Sequence, residues 1–132
     1  MQDGFLTIVT TVDGTQSRFS CKAEMEWDSL SAVLRYAQEN ATITVSLKNG
    51  ELKIDRTGDY GMSLLLRENE STAGTLSVAG SEGALEAYTE RLAYSIAKNR
   101  LLMQIYYTLN FGTEKQNMRL RINASKNSSE EK

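Results

Sequence analysis

No histidine and no proline occur among the 132 residues of this chain. Without histidine the commonest general base, the commonest metal ligand and every histidine-containing catalytic triad are gone. Without proline there is no X-Pro bond whose isomerisation slows folding. Cysteine is nearly absent too: Cys21 is the one instance, so no internal disulfide can form, which fits a reducing compartment. No stretch approaches the ~20 apolar residues of a membrane-spanning helix. The opening Met1-Gln2-Asp3-Gly4 lacks the positive start and apolar run of a secretory signal, and the cytoplasm is the expected location. An excess of charge of one sign is also missing. The chain carries 15 Lys and Arg against 17 Asp and Glu, with a net charge of −2 and a pI near 5.2. Nucleic-acid binders usually present a basic domain or face. Short pairs such as Arg119 and Arg121 alternate with Leu120 and Ile122 and read as the wet face of a strand. Neither a nucleic acid nor a membrane is an expected partner.

What is present is alternation. The length suits one domain with a real core. Asp13-Gly14 separates Leu6–Val12 from Thr15–Met25, and both flanks are strand-like. An Asp-Gly pair accepts the positive φ angles of a type I′ hairpin turn. Phe19, Cys21, Ala23 and Met25 share one face, while Arg18, Ser20, Lys22 and Glu24 share the other. Asn49-Gly50 makes a second hairpin between Ile43-Val45-Leu47 and Leu52-Ile54. Tyr60–Arg67 and Thr72–Ala79 follow as strands, with Gly74 in the second marking a bend or bulge. Leu101, Met103, Ile105, Tyr107, Leu109 and Phe111 occupy alternate positions of one long strand. Met118, Leu120 and Ile122 form the last. From 124 to 132 a polar tail is expected to be disordered, which bounds the folded domain at 1–123.

Two segments admit two readings. Gly83–Asn99 places Leu85, Tyr88, Leu92 and Ile96 at helical spacing, and Asp28–Asn40 begins at an Asp that could cap a helix burying Leu30, Leu34 and Ala37. Read at period two, Leu85, Ala87 and Thr89 form a face, as do Ala32, Leu34 and Tyr36.

From about Thr15 to Ile122 an ordered series of landmarks runs along the chain. It comprises Leu34-x-Tyr36-x-x-Glu39, Thr42-Ile43-x-Val45, and Gly50-Glu51-Leu52-x-Ile54-x-Arg56-x-Gly58. After Met62 come Thr72-x-Gly74, Gly83-x-Leu85, Thr89-x-x-Leu92, Tyr107-x-Leu109 before Gly112, and Leu120-x-Ile122. In this order and spacing the chain resembles the YwiB-like family, bacterial proteins of unknown function. The resemblance implies an all-β fold: one closed antiparallel β-barrel of about eight to ten strands, calycin- or lipocalin-like. Both ambiguous segments would then be strands, and no sheet edge would be left free. The sequence departs from the family in a short loop at Gln38-Glu39-Asn40 and in lacking an aromatic near Thr75-Leu76. The resemblance supplies a fold and no reaction.

The candidate site follows from which side chains point inward. Arg56 shares a face with Leu52 and Ile54, so it points into the barrel or its mouth, where an unpaired charge would cost several kcal/mol. It either anchors a ligand carboxylate or closes one barrel end by bonding carbonyls, a carboxylate or a ring. The second reading is preferred, since calycin barrels commonly use an arginine in this way. Tyr36, Met62, Met103, Thr89 and Tyr107 either line a cavity with Arg56 or pack as core. Asp55, Asp59, Glu68, Glu70, Glu86 and Glu90 read as turns and wet faces rather than a catalytic pair. Cys21 reads as packing. Trp27 is either a floor plug or a surface anchor. No calcium loop or phosphate loop is present. No metal or cofactor is therefore expected. The reading is a non-enzymatic barrel for a small, partly apolar or anionic ligand, with a packed barrel acting on a protein partner as the alternative.

Overall fold

The computed structural model describes residues 1–127. Ten strands follow one another: β1 (Gln2–Val12), β2 (Thr15–Trp27), β3 (Ser31–Gln38), β4 (Ala41–Lys48), β5 (Glu51–Thr57), β6 (Tyr60–Arg67), β7 (Ser71–Val78), β8 (Ser81–Ile96), β9 (Arg100–Phe111) and β10 (Glu114–Lys126). Each pairs antiparallel with the next, and β1 pairs with β10 to close the barrel. Among the described residues there is no helix, and none long and apolar enough to cross a membrane. The all-β, closed antiparallel barrel expected from the sequence is the observed fold, with ten strands.

The turns explain the hairpins. Asp13 and Gly14 have φ of 48° and 89°, and Asn49 and Gly50 have 55° and 75°. These are the left-handed values that type I′ turns require. Gly58, at φ 145°, is needed for a second reason: a Cβ there would lie 2.8 Å from Ala41 Cα and closer still to the Asn40 carbonyl oxygen. Any side chain at 58 would push the β5–β6 turn off the β3–β4 turn.

The inward faces build a continuous core. Leu6, Met25, Leu34, Leu47, Leu52, Leu64, Leu66, Leu101, Ile105 and Ile122 are fully buried. Each such side chain contributes about 1.5–3 kcal/mol by leaving water. Burial is deepest at the end holding the Asn49-Gly50 turn. There Trp27 is buried, its Nε1 donating to the Ala97 carbonyl at 2.8 Å and its ring lying 4.5 Å from Lys126 Nζ. Trp27 is thus the floor plug. At the other end Tyr36, Met62, Leu76, Phe111 and Met118 are only half-buried.

Both ambiguous segments are strands. Asp28 does cap, but it caps a turn: its Oδ1 accepts from the backbone N–H of Leu30 and Ser31 at 2.8 and 2.9 Å, and β3 follows. These bonds hold its carboxyl below the usual range. Leu30, which a helix would bury, is 74% exposed. In β8 the register shifts between Thr89 and Arg91. Before this bulge Leu85, Ala87 and Thr89 are buried; after it Leu92 is. The switch of phase sets the buried Leu85 and Leu92 seven residues apart, while Tyr88, which a helix would bury between them, is exposed. The bulge lies here rather than at Gly74, where a Cβ would instead crowd Leu64.

Two expectations are corrected. The last strand does not stop near Ile122: Ala124 is fully buried and pairs with Leu6 and Leu101, and Ser125 and Lys126 continue the ladder. The folded part therefore extends beyond 123 to Lys126, and the remainder of the expected tail, 128–132, lies outside the described residues. Nor is every edge covered. The β2–β3 ladder runs only from Glu24↔Arg35 to Trp27↔Ala32, and among the described residues no strand pairs with that edge of β2 from Thr15 to Ala23. Four residue pairs suffice to close the barrel, leaving the rest of β2 uncovered.

Candidate functional site

At the half-open end, strands β6 to β9 bring Tyr60, Met62, Leu76, Val78, Leu85, Leu109 and Phe111 around a trough of about 280 Å³. Alternation places these residues there: Met62 opposes Leu76 across β6–β7, and Tyr60 opposes Val78. The walls are almost wholly apolar, yet Val78 is 47% exposed and Tyr60 is also exposed. Apolar side chains left wet at a concave end are the costly arrangement that usually marks a binding surface.

Arg56 stands at the rim of this trough, cross-strand from Met62. Its side chain is 15% exposed. Nη2 meets Asp59 Oδ1 at 2.9 Å, Nη1 donates to the Tyr60 carbonyl at 2.7 Å, and the guanidinium carbon sits 3.6 Å from the Tyr60 ring centroid. The guanidinium holds the Asp59 carboxyl below its ordinary range through a hydrogen bond and its charge. The anion that the sequence left open as a ligand's carboxylate is supplied by the chain itself. Arg56 clasps the β5–β6 turn and holds Tyr60 in the wall.

The other candidates are dispersed. Tyr36 lies across the β2–β3 opening, its ring 6.1 Å from that of Phe19. It lines a cleft of about 130 Å³ with Phe19, Gln38, Ser17, Ile8 and Val45. Burial, with a smaller contribution from Cys21, pushes its phenol up to about 12. Tyr107 is buried, and its phenol is likewise pushed up to about 12. Thr89 opposes Tyr107 across β8–β9 and is fully buried, and its Oγ1 has no hydrogen-bond partner among the described residues. Arg56 and Met62 are thus together, Thr89 and Tyr107 are together elsewhere, and Ile43 separates Tyr36 from Arg56. Sequence reasoning missed Tyr60, Leu76, Val78, Leu85, Leu109 and Phe111 as trough residues. The signal that could have found them is their place next to turns, where an inward apolar residue has no further layer above it.

The buried titratable groups among these candidates are held in their neutral forms. Both buried phenols stay neutral over the physiological range and can only donate or accept hydrogen bonds. Burial raises the Cys21 thiol as well, which disfavours the nucleophilic thiolate. Among the described residues no three His, Cys, Asp or Glu side chains are placed to hold a metal ion. A larger concavity, about 760 Å³, lies outside the barrel among Thr11, Asp13, Gln16, Glu90, Tyr106 and Arg119. Most of these side chains are outward-facing and polar, so size alone does not make it the better site.

Fold and site together define a closed up-and-down β-barrel with a plugged floor and an apolar mouth. The chain belongs to the family described as domain of unknown function (DUF1934), whose profile matches residues 7–122. Its fold is similar to that in the crystal structure of the ywiB protein from Bacillus subtilis. The TM-score is 0.82 at 17% identity, over 96% of this chain and 93% of that one. The likeness read from the landmark residues is therefore shown, and at this identity the structural match speaks for the fold alone. A comparison with curated proteins gives no match.

Proposed function

We propose that this chain is a cytoplasmic, non-enzymatic, calycin-like binding barrel that takes a small, mainly apolar molecule at its mouth. The observation that carries this reading is the trough walled by Tyr60, Met62, Leu76, Val78, Leu85, Leu109 and Phe111. Its 280 Å³ is close to the lower end of small-molecule sites, about 300 Å³. The interior below is filled by leucine, isoleucine and methionine, so the ligand lies at the mouth rather than deep in the barrel. Arg56 acts on it indirectly, by fixing Tyr60, and its unused N–H donors can meet one acidic group on the ligand's wet end.

Titration with a fluorescent fatty-acid analogue tests the reading. Val78→Asp places a charge in the trough at an exposed position. It should weaken probe binding about tenfold or more while the melting temperature moves little. A wild-type protein that binds no such probe, or a variant that binds it unchanged, removes the mouth as the site.

A further inference from the structure

Among the described residues the uncovered length of β2 is the longest break in the barrel's ladder, and its side chains are not those of an idle edge. We propose that the edge of β2 from Gln16 to Lys22 is a strand-addition site for an extended acidic segment of a partner protein. The backbone supplies the first argument. The two-residue turn at Asp13-Gly14 makes Val12 and Thr15 a hydrogen-bonded pair, and alternation along β1–β2 then directs the N–H and C=O of Gln16, Arg18, Ser20 and Lys22 to the other edge. Further down, the same alternation presents Glu24 to β3, where the short ladder begins. Above that point the edge offers a row of strand-pairing groups with no strand on them among the described residues, the arrangement on which β-augmentation works.

The two faces of β2 state what the added strand must carry. Outward, Gln16, Arg18, Ser20 and Lys22 are all exposed, with two cations and no acid. Neither Arg18 nor Lys22 forms an ion pair among the described residues, whereas Glu24 just below is taken by Arg35 at 3.9 Å. Arg121 joins the same cross-strand row, since Val9 opposes both Arg18 and Arg121. Inward, Met25 is buried where β3 pairs with it and Ala23 just above is buried as well, but Phe19 and Cys21, farther from β3, are only half-buried. Phe19 and Tyr36 flank the cleft of about 130 Å³ at that opening, room for a small aliphatic side chain and not for a free ligand. The complement is a segment alternating acidic and small apolar residues. Its carboxylates would lie beside Arg18 and Lys22, and its apolar side chains would enter between Phe19 and Tyr36. A protein segment fits better than a nucleic acid, because the chain as a whole is negative at −2 and would repel a long polyanion.

The test titrates the full chain, by fluorescence anisotropy, with a labelled peptide of about eight alternating glutamates and valines. A lysine–valine peptide is the control. The acidic peptide should bind at least about tenfold more tightly than the control, and more weakly as salt rises. Ser20→Pro removes one edge N–H and leaves the β1 ladder whole, and should abolish binding. Ser20→Ala removes only the hydroxyl contact with Thr7 at 3.1 Å and should leave binding intact. Arg18→Glu should cut the preference for the acidic peptide at least about fivefold, and it carries the test if Ser20→Pro does not fold: an unchanged preference overturns the proposal. Equal binding of both peptides, or acidic-peptide binding that survives Ser20→Pro in a folded protein, overturns the proposal. So does an oligothymidylate that displaces the peptide and still binds Ser20→Pro, which would assign these cations to single-stranded nucleic acid.

Discussion

A guanidinium near a barrel rim must satisfy five N–H donors and a charge that water reaches only in part. Arg56 meets its charge and two of those donors with a carboxylate and a carbonyl and lays its face on an aromatic ring, all supplied within four residues by Asp59 and Tyr60. Alternation with Leu52 and Ile54 told that Arg56 points inward. It could not tell that the following turn bends back under it, because that depends on Gly58. Arg56→Leu should cost about 1–3 kcal/mol in urea unfolding, from the lost stacking and charge-assisted bonds, and should weaken affinity for an apolar probe severalfold as Tyr60 is released from the wall. A neutral outcome for stability would remove the clasp. Thr89 is the opposite case, a buried hydroxyl with no hydrogen-bond partner among the described residues. The sequence offered it as a possible ligand contact, and the structure sets it against Tyr107 in the β8–β9 wall. Thr89→Val keeps the β-branched shape and deletes the orphan oxygen, so it should raise stability by about 1 kcal/mol. A loss of stability on this substitution would show that the hydroxyl has a partner in solution.

At the scale of elements, strands with strict alternation and Asx-Gly turns were legible, because a half-buried strand writes its two faces directly into the sequence. β4, β5 and β9 are of this kind. β3 and β8 were not legible from local pattern alone. Asp28 capping a turn looks like Asp capping a helix, and the bulge at Thr89/Arg91 mixes two phases of period two into something near 3.6. The mouth trough was hidden for another reason: its lining comes from four strands, and no local window contains it. β10 was misjudged by composition. Asn123-Ala124-Ser125-Lys126 is polar except for Ala124, yet the strand is held by neighbours on both sides, β1 and β9. Chain ends are tolerant only where their backbone is free. A chain ending at Lys126 should melt within a few degrees of the full protein. One ending at Asn123 loses a buried alanine and the pairs of Ala124, Ser125 and Lys126, and should lose about 2 kcal/mol or more. Equal melting temperatures for the two truncations would show that the last turn of the β1–β10 ladder contributes nothing.

For the whole molecule, the decisive contact is the one most distant in sequence. Nine residue pairs from Gly4↔Lys126 to Val12↔Met118 join the first strand to the last, and without them the meander is an open sheet with two long edges. Every other ladder is made by neighbours in sequence, so most of the barrel forms locally and closure is the step that carries the entropy of a chain-length loop. The same ladder brings the two ends together at the floor: Gln2 Nε2 donates to the Asn127 carbonyl at 3.0 Å, and the Asn127 N–H donates to the Asp3 carbonyl at 3.1 Å. A barrel with adjacent ends should not depend on where its chain begins. Joining Asn127 to Met1 through a short glycine-serine linker and opening the chain between Asn49 and Gly50 keeps all ten strands. It makes β1–β10 a local hairpin and turns β4–β5 into the long-range closure. The permuted chain should fold to the same far-ultraviolet circular dichroism, bind the mouth probe with unchanged affinity, and keep its melting temperature within several degrees, since the trough lies at the other end from both the cut and the joint. A permuted chain that is folded but no longer binds the probe would mean that the mouth's shape depends on the β4–β5 turn. One that does not fold would mean that the Asn49-Gly50 hairpin must form first, which would make it the nucleus on which the rest of the barrel assembles.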